Sequence, residues 1–129
     1  IGPGDHPDDF QFIHVFWYPN RGPVSEHINV IEPIMQKINP SIWLRIKANL
    51  RLKTNHVRVG GMHTDVGNYG HTTSIFYVNS NDGCTTFENG DTYKSVENRL
   101  ITFPSHLRHA GSSPSNTKTR FVINFNYFQ

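Results

Sequence analysis

Leu44-Arg45-Ile46-Lys47-Ala48-Asn49-Leu50-Arg51-Leu52-Lys53 alternates apolar and polar residues at every step. Successive side chains of an extended chain point to opposite faces. One face therefore carries Leu44, Ile46, Ala48, Leu50 and Leu52, and the other Arg45, Lys47, Asn49, Arg51 and Lys53. A period of two marks a strand with one face against a core. The opposite face is either a solvated surface or the basic lining of a pocket, and the inward-facing reading is preferred.

Downstream of this strand the chain reads as β throughout. Thr72 to Asn79, Thr85 to Phe87, Arg99 to Phe103 and Thr119 to Phe128 are further strand candidates. Asn81-Asp82-Gly83 and Glu88-Asn89-Gly90-Asp91 supply turn chemistry between them. Short strands at this spacing suggest a sandwich or a barrel. Upstream, Phe10 to Tyr18 is aromatic and β-branched and reads as a strand, after an irregular Gly/Pro/Asp-rich lead-in over residues 1–9. Val24, Ile28, Ile31, Ile34, Met35 and Ile38 recur at steps of three and four and predict one amphipathic helix. Ser25 is its expected N-cap, Pro33 predicts a kink or two short helices, and Asn39-Pro40 ends it.

The composition bounds the function. The chain has 129 residues, enough for one compact domain with a core, and nine Phe, five Tyr and two Trp argue against disorder. A net charge of +2 does not demand a nucleic-acid partner. The single cysteine, Cys84, rules out an internal disulfide and reads as a small apolar residue. No apolar run approaches membrane-spanning length and no signal-peptide pattern is present, so a cytoplasmic location is expected.

Met62-His63-Thr64-Asp65 carries the first chemical signal. In a strand His63 and Asp65 would share a face, giving an imidazole and a carboxylate side by side. Such a pair is common by chance, and with eight histidines in the chain it decides nothing alone. A second imidazole is needed. Two histidines and one carboxylate leave three coordination positions open, as Fe(II) requires to hold a co-substrate and O₂ together. Phe103-Pro104-Ser105-His106-Leu107-Arg108-His109-Ala110-Gly111 offers that donor. Beyond it, Arg120 opens the alternating strand Arg120-Phe121-Val122-Ile123-Asn124-Phe125-Asn126-Tyr127.

In this order and spacing the chain resembles the Fe(II)/2-oxoglutarate dioxygenase superfamily, and its prolyl-hydroxylase-like branch, over roughly Asn49 to Tyr127. The resemblance implies that His63, Asp65 and His109 ligate Fe(II), acting as the catalytic centre, and that Arg120 anchors the far carboxylate of 2-oxoglutarate. It makes Tyr77, in Thr73-Ser74-Ile75-Phe76-Tyr77-Val78-Asn79, the partner of Arg120 on that carboxylate, with Asn49 and Arg51 as second-rank contacts. A guanidinium suits the task because it meets a carboxylate with two parallel hydrogen bonds. Lys118, two residues before Arg120 on the same strand face, competes as the anchor, and His106 competes with His109.

The implied fold is an all-β core with a helical layer, a double-stranded β-helix of the jelly-roll, cupin-like kind. It is expected as one domain over 1–129, with a lead-in strand and supporting helix in 1–42 and the β-helix core in 43–129. Parity agrees with it. If Arg120, Val122, Asn124 and Asn126 point inward, then Phe121, Ile123, Phe125 and Tyr127 form an apolar face that the helix and the Leu44–Leu52 face can cover. The implied reaction consumes 2-oxoglutarate and O₂, with ascorbate as a supporting reductant, releases succinate and CO₂, and hydroxylates a C–H bond of a peptide or small-molecule substrate such as a prolyl residue or an amino acid. Asp65 argues for hydroxylation over halogenation, which the family performs with Gly or Ala at that position. Asn126 stands where the family's nucleic-acid demethylases carry a further Arg, which counts against nucleic acid as substrate. The alternative is a cupin-like binding module that is inactive or holds another metal. His71 and Asn68-Tyr69-Gly70 are expected in a solvated loop, and His6, His14, His27 and His56 as surface or packing residues. Substrate identity and oligomeric state are not legible.

Overall fold

The computed structural model describes residues 10–67 and 69–129; the lead-in of residues 1–9, with His6, and Asn68 lie outside the described residues. The elements are β1 (Gln11–Tyr18), β2 (Gly22–Pro23), α1 (Ile28–Ile38), β3 (Ile42–Leu52), β4 (Thr72–Tyr77), β5 (Cys84–Phe87), β6 (Thr92–Lys94), β7 (Leu100–Pro104), β8 (His109–Gly111) and β9 (Thr119–Phe128). They form a six-stranded sheet in the order β2-β1-β3-β9-β4-β7 and a three-stranded sheet in the order β6-β5-β8. Every pairing is antiparallel. No helix among the described residues is long and apolar enough to cross a membrane.

The larger sheet has an apolar layer on each face. On one side α1 lays Ile28, Ile31, Ile34, Met35 and Ile38 against Phe16, Ile46, Ala48, Ile123, Phe125 and Tyr127. On the other, Ile75, Tyr77 and Val122 meet Phe87 of the smaller sheet and Phe103 of β7. Both layers follow from alternation along β9 and along β3 from Arg45 onward. Ile123, Phe125 and Tyr127 go to the helix side while Arg120, Val122 and Asn124 line a cavity between the sheets. The inward-facing reading of the polar β3 face therefore holds for Lys47, Asn49 and Arg51, which line the same cavity.

Four sequence expectations are corrected. Val24 and Ser25 precede the helix: Val24 N–H bonds to Phe16 O, and Ser25 Oγ accepts from His27 N–H, so Ser25 caps nothing. Pro33 neither splits nor ends α1, which runs as one helix with Pro33 on its exposed side. Asn39 closes it in the left-handed conformation at φ 46°, its N–H on Met35 O. A bulge between Trp43 and Arg45 breaks the alternation of β3, so that Trp43 joins the helix-side cluster, its ring 5.9 Å from that of Phe125. The short strands β2, β6 and β8 were not anticipated; two or three residues carry too little period to read.

Phe125 is fully buried at the centre of the helix-side layer. Phe125→Ala is expected to lower unfolding free energy by about 3–5 kcal/mol, whereas Val30→Ser, on the 71% exposed Val30 of α1, should change it by no more than about 0.5 kcal/mol. Urea unfolding midpoints of the two variants check this.

Candidate metal centre and adjoining cavity

His109 opens β8, and His63 faces it across an isolated antiparallel bridge. Two reciprocal backbone bonds, His63 N–H to His109 O and the reverse, are both 2.9 Å long and hold the imidazoles with centroids 4.7 Å apart. Phe103 stands edge-on to the His109 ring at 4.9 Å and fixes its plane. Asp65 lies two residues past His63, in a bend and not in the strand the sequence suggested. The bend still turns its carboxylate inward. Val66, which follows, sits at φ 52°, a left-handed conformation that is strained for a β-branched residue and stands at the site's edge.

The three side chains converge. His63 Nε2 is 3.3 Å from Asp65 Oδ1, His109 Nε2 is 3.7 Å from Asp65 Oδ2, and one donor atom from each residue lies within 4.8 Å of the others. Each imidazole is oriented from behind: His63 Nδ1 is 2.9 Å from Gly61 O and His109 Nδ1 is 3.3 Å from Leu107 O. Donation from Nδ1 leaves Nε2 as the inward atom of both rings.

Burial would raise the Asp65 carboxyl, but the hydrogen bond with His63 and the positive charges of His109, His63 and Arg45 outweigh it and hold it at about 2. The same bond raises His63, while burial pushes His109 down. With Nδ1 on Leu107 O, His109 points Nε2 toward Asp65 Oδ2, and that oxygen is buried without a hydrogen-bond partner. The donor set therefore fits a divalent metal, with the three ligands of a facial triad.

The cavity beside these donors has a volume of about 280 Å³. Lys47, Asn49, Arg51, Arg120, Thr85, Asn124, Gly111, Ile75 and Val122 line it together with all three donors. Arg120 is 4% exposed, and its guanidinium donates from Nε to Ser95 Oγ at 2.8 Å, from Nη1 to Ser112 O at 3.4 Å and from Nη2 to Thr85 Oγ1 at 3.1 Å. All three acceptors are neutral, and no carboxylate of the described residues pairs with it. Burial lowers the Arg120 pKa, and Arg51, its cross-strand partner, adds to that pressure. A charge so placed calls for an anion from outside. Gly83 makes the pose possible, since a Cβ there would come within 2.5 Å of Arg120 Cδ.

β8 spans the distance between the triad and Arg120, which stands on β9. Gly111, whose added Cβ would sit 3.1 Å from Arg120 Nη1, is two residues beyond His109 on β8, an offset of about 7 Å at the rise of an extended chain. Lys118 is exposed and absent from the cavity lining, as is His106. Asn49 and Arg51 line the cavity as expected; Asn49 Oδ1 accepts from Asn124 Nδ2 at 2.7 Å, and Arg51 Nη1 donates to Gly111 O at 3.1 Å.

Tyr77 departs from the expectation. It is fully buried behind the cavity wall, its hydroxyl donates to Thr85 Oγ1 at 2.7 Å, and its ring lies 5.6 Å from the Arg120 guanidinium carbon. Tyr77 touches Arg120 but does not reach the cavity; Thr85 stands in front of it. His71 is also corrected. It is 2% exposed, so it does not sit in a solvated loop, although Tyr69 beside it is exposed. Sequence reasoning missed Thr85, Ser95, Ser112 and Gly83. Only Thr85 lay in a recognised strand, and a lone hydroxyl there carries no signal.

No protein-family model and no curated protein matches the sequence. Solved structures do match in shape. A 2OG-Fe(II) oxygenase family oxidoreductase from Burkholderia pseudomallei superposes with a TM-score of 0.62 at 12% identity, over 92% of this chain and 66% of that one. A prolyl hydroxylase from Trichoplax adhaerens, in complex with a hypoxia inducible factor oxygen degradation domain peptide fragment, gives 0.57 at 17% identity over 92% and 62%. An HTH_3 family transcriptional regulator from Vibrio cholerae gives 0.54 at 14% identity over 95% and 53%. The chain has the double-stranded β-helix fold. It spans less than two thirds of the length of each of these three, and at such identities the likeness extends to the fold alone. Proteins of unlike function share that fold, so activity has to be argued from the site.

The depressed Asp65 value sets a pH test of the metal-free chain. A folded pKa below the ordinary 3.8 contributes stability that is present above about pH 4 and is lost as pH falls toward about 2. Wild-type stability is expected to fall by about 2 kcal/mol across that window beyond any fall in Asp65→Asn. Parallel urea midpoints for the two proteins through the window would remove Asp65 from this role.

Proposed function

We propose that the protein is an Fe(II)- and 2-oxoglutarate-dependent dioxygenase that hydroxylates an unactivated C–H bond of a small amino-acid-like or peptidyl substrate, releasing succinate and CO₂. One observation carries the reading: a buried guanidinium with only neutral protein partners shares a cavity with a His-Asp-His cluster whose Asp65 Oδ2 has no partner. One end of the cavity wants a cation and the other an anion. The offset between them suits a short dicarboxylic acid that joins the two.

His63 Nε2, Asp65 and His109 Nε2 would hold the iron, whose chemistry when bound is the activation of O₂ coupled to oxidative decarboxylation of 2-oxoglutarate. The chain's own tasks are binding, orientation and proton control. His63 and His109 would ligate as neutral imidazoles through Nε2, with Nδ1 facing a backbone carbonyl. Asp65, held ionised, needs no proton removed. Arg120 holds the distal carboxylate, fixed in place by Ser95, Thr85 and the Ser112 carbonyl. Ile75 and Val122 give the cavity apolar wall that keeps water from the reacting centre. Lys47 and Arg51 add positive charge that favours an anionic co-substrate. A cupin-like module binding another metal shares the donors, but leaves the Arg120 charge without a ligand to meet it.

Succinate formation from 2-oxoglutarate with Fe(II), O₂ and ascorbate, against a panel of proline-containing peptides and free amino acids, tests the reading. Wild type is expected to turn over, and His63→Ala to lose turnover by about 100-fold or more. Arg120→Ala is expected to raise the KM for 2-oxoglutarate by about 30-fold or more, the size of a truncated buried charge contact. Turnover unchanged in either variant would remove that residue from the site, and no succinate from wild type with any substrate would end the proposal.

A further inference from the structure

With an acid spanning the metal and Arg120, the cavity still carries an excess of positive charge. Its lining holds three cationic side chains, Lys47, Arg51 and Arg120, against one carboxylate, that of Asp65. A divalent metal adds two positive charges and a dicarboxylate removes two, so the lining stays cationic. Part of that excess has a definite place. Arg51 lies opposite Arg120 at the distal end, and Lys47 lies four residues earlier on β3, about 13 Å along an extended chain. The triad and the distal end are about 7 Å apart along β8. Lys47 therefore stands at the triad end, outside the span of an acid that joins the metal to Arg120.

Asp65 does not neutralise this ammonium. Its Oδ1 faces Arg45 Nη2 at 3.9 Å and His63 Nε2 at 3.3 Å, and no carboxylate of the described residues forms an ion pair with Lys47. Burial and the Arg45 charge disfavour the Lys47 ammonium by more than Asp65 favours it. A half-buried cation so placed gains from a bound anion. The wall beside it is apolar. Val15 lies directly across from Lys47 and Ile13 across from Asn49, so both side chains share the cavity face of the sheet. Val15 is half-buried and Ile13 is 58% exposed. Asn49 and Gln11, on the same face, are engaged with each other, Asn49 Nδ2 donating to Gln11 Oε1 at 3.1 Å. This subsite offers a cation and hydrocarbon, and no carboxylate that could receive an ammonium group.

We infer that the primary substrate carries a carboxylate that Lys47 binds beside the triad, with an apolar body against Val15 and Ile13 and no free ammonium group. That the bound acid is a substrate rests on the dioxygenase reading; the anion subsite itself does not. A residue within a peptide presents an amide where Lys47 calls for a charge. A free amino acid brings an ammonium to a wall that has no acid for it, and as a zwitterion it leaves the net charge of the cavity unchanged. A simple aliphatic acid or an N-acylated amino acid meets both conditions.

Calorimetric titration of the full chain, loaded with Mn(II) in place of iron and saturated with 2-oxoglutarate, tests this with four probes of one skeleton: 4-methylpentanoate, 4-methylpentanamide, L-leucine and L-leucinamide. Wild type is expected to bind 4-methylpentanoate at least about tenfold more tightly than the other three. Lys47→Met keeps the aliphatic stem and removes the charge. It is expected to weaken the acid by about 10- to 100-fold and the amide by about threefold at most, so that the preference disappears. Lys47→Arg is expected to retain a preference of about fivefold or more. Affinity for 2-oxoglutarate should fall by about threefold at most in Lys47→Met, because Lys47 acts on it only at a distance. Ile13→Asn should weaken acid and amide alike, by about 3- to 10-fold. An acid preference that survives Lys47→Met, tighter binding of L-leucine or either amide than of the acid, displacement of 2-oxoglutarate by the acid, or no binding of the acid would overturn the inference. Succinate assays separate it from the dioxygenase reading. Lys47-dependent binding of the acid with no succinate formed from any substrate would uphold the subsite and remove the dioxygenase. Turnover driven by a prolyl peptide, without Lys47-dependent binding of the acid, would uphold the dioxygenase and overturn the subsite.

Discussion

The pairing of β3 with β9 is the constraint on which the rest of the molecule depends. Asn49 lies opposite Val122, Ala48 opposite Ile123 and Arg51 opposite Arg120. In this register Ile46, Ala48, Ile123 and Phe125 fall under α1, while Lys47, Asn49, Arg51, Arg120 and Asn124 line the cavity. A slip of one residue would exchange the two faces of a strand, burying arginines beneath the helix and turning isoleucines into the site. Such a slip would place a charge in an apolar layer without a partner, a cost of several kcal/mol. Folding and site construction are therefore one event at these two strands, and β4 extends the same register through Ile75 opposite Asn124.

The second sheet completes what the first begins. β8 brings His109 to His63 through a single bridge and, two residues later, brings Gly111 to the two arginines. Small residues stand where the guanidinium groups need room, at Gly60, Gly83 and Gly111. The site is thus spread over both sheets, with polarity opposite at its two ends. Near the bridge one carboxylate oxygen of Asp65 lacks a hydrogen-bond partner; near Gly111 the Arg120 guanidinium has only neutral acceptors.

Much of this could be read in the sequence because period and spacing are local or nearly so. Alternation over β3 and β9 identified which residues face inward, and the steps of three and four identified α1. His63, Asp65, His109 and Arg120 come together in space as their order suggested, and Asn49 and Arg51 line the same cavity. What was not legible came from contacts set by three-dimensional closure. The Trp43 bulge follows from how β3 meets β9, and Ser95 and Ser112 reach Arg120 from loops with no pattern. Tyr77 was assigned a direct contact because its strand matched, yet the hydroxyl of Thr85 intervenes, and only coordinates reveal which of two hydroxyls stands in front. His71 was read as part of a solvated loop after the metal motif, whereas Ser105 N–H on its carbonyl draws it into the fold.

The central claim is that one cation is shared by three side chains while Arg120 meets an acid in the same cavity. A crystal structure grown anaerobically with Fe(II) and 2-oxoglutarate, with anomalous data at the iron edge, tests it most directly. The account predicts one strong anomalous peak within coordination distance of His63 Nε2, His109 Nε2 and Asp65, and a carboxylate on Arg120. A peak elsewhere, or an Arg120 that meets no ligand while the acid sits outside the cavity, would contradict it.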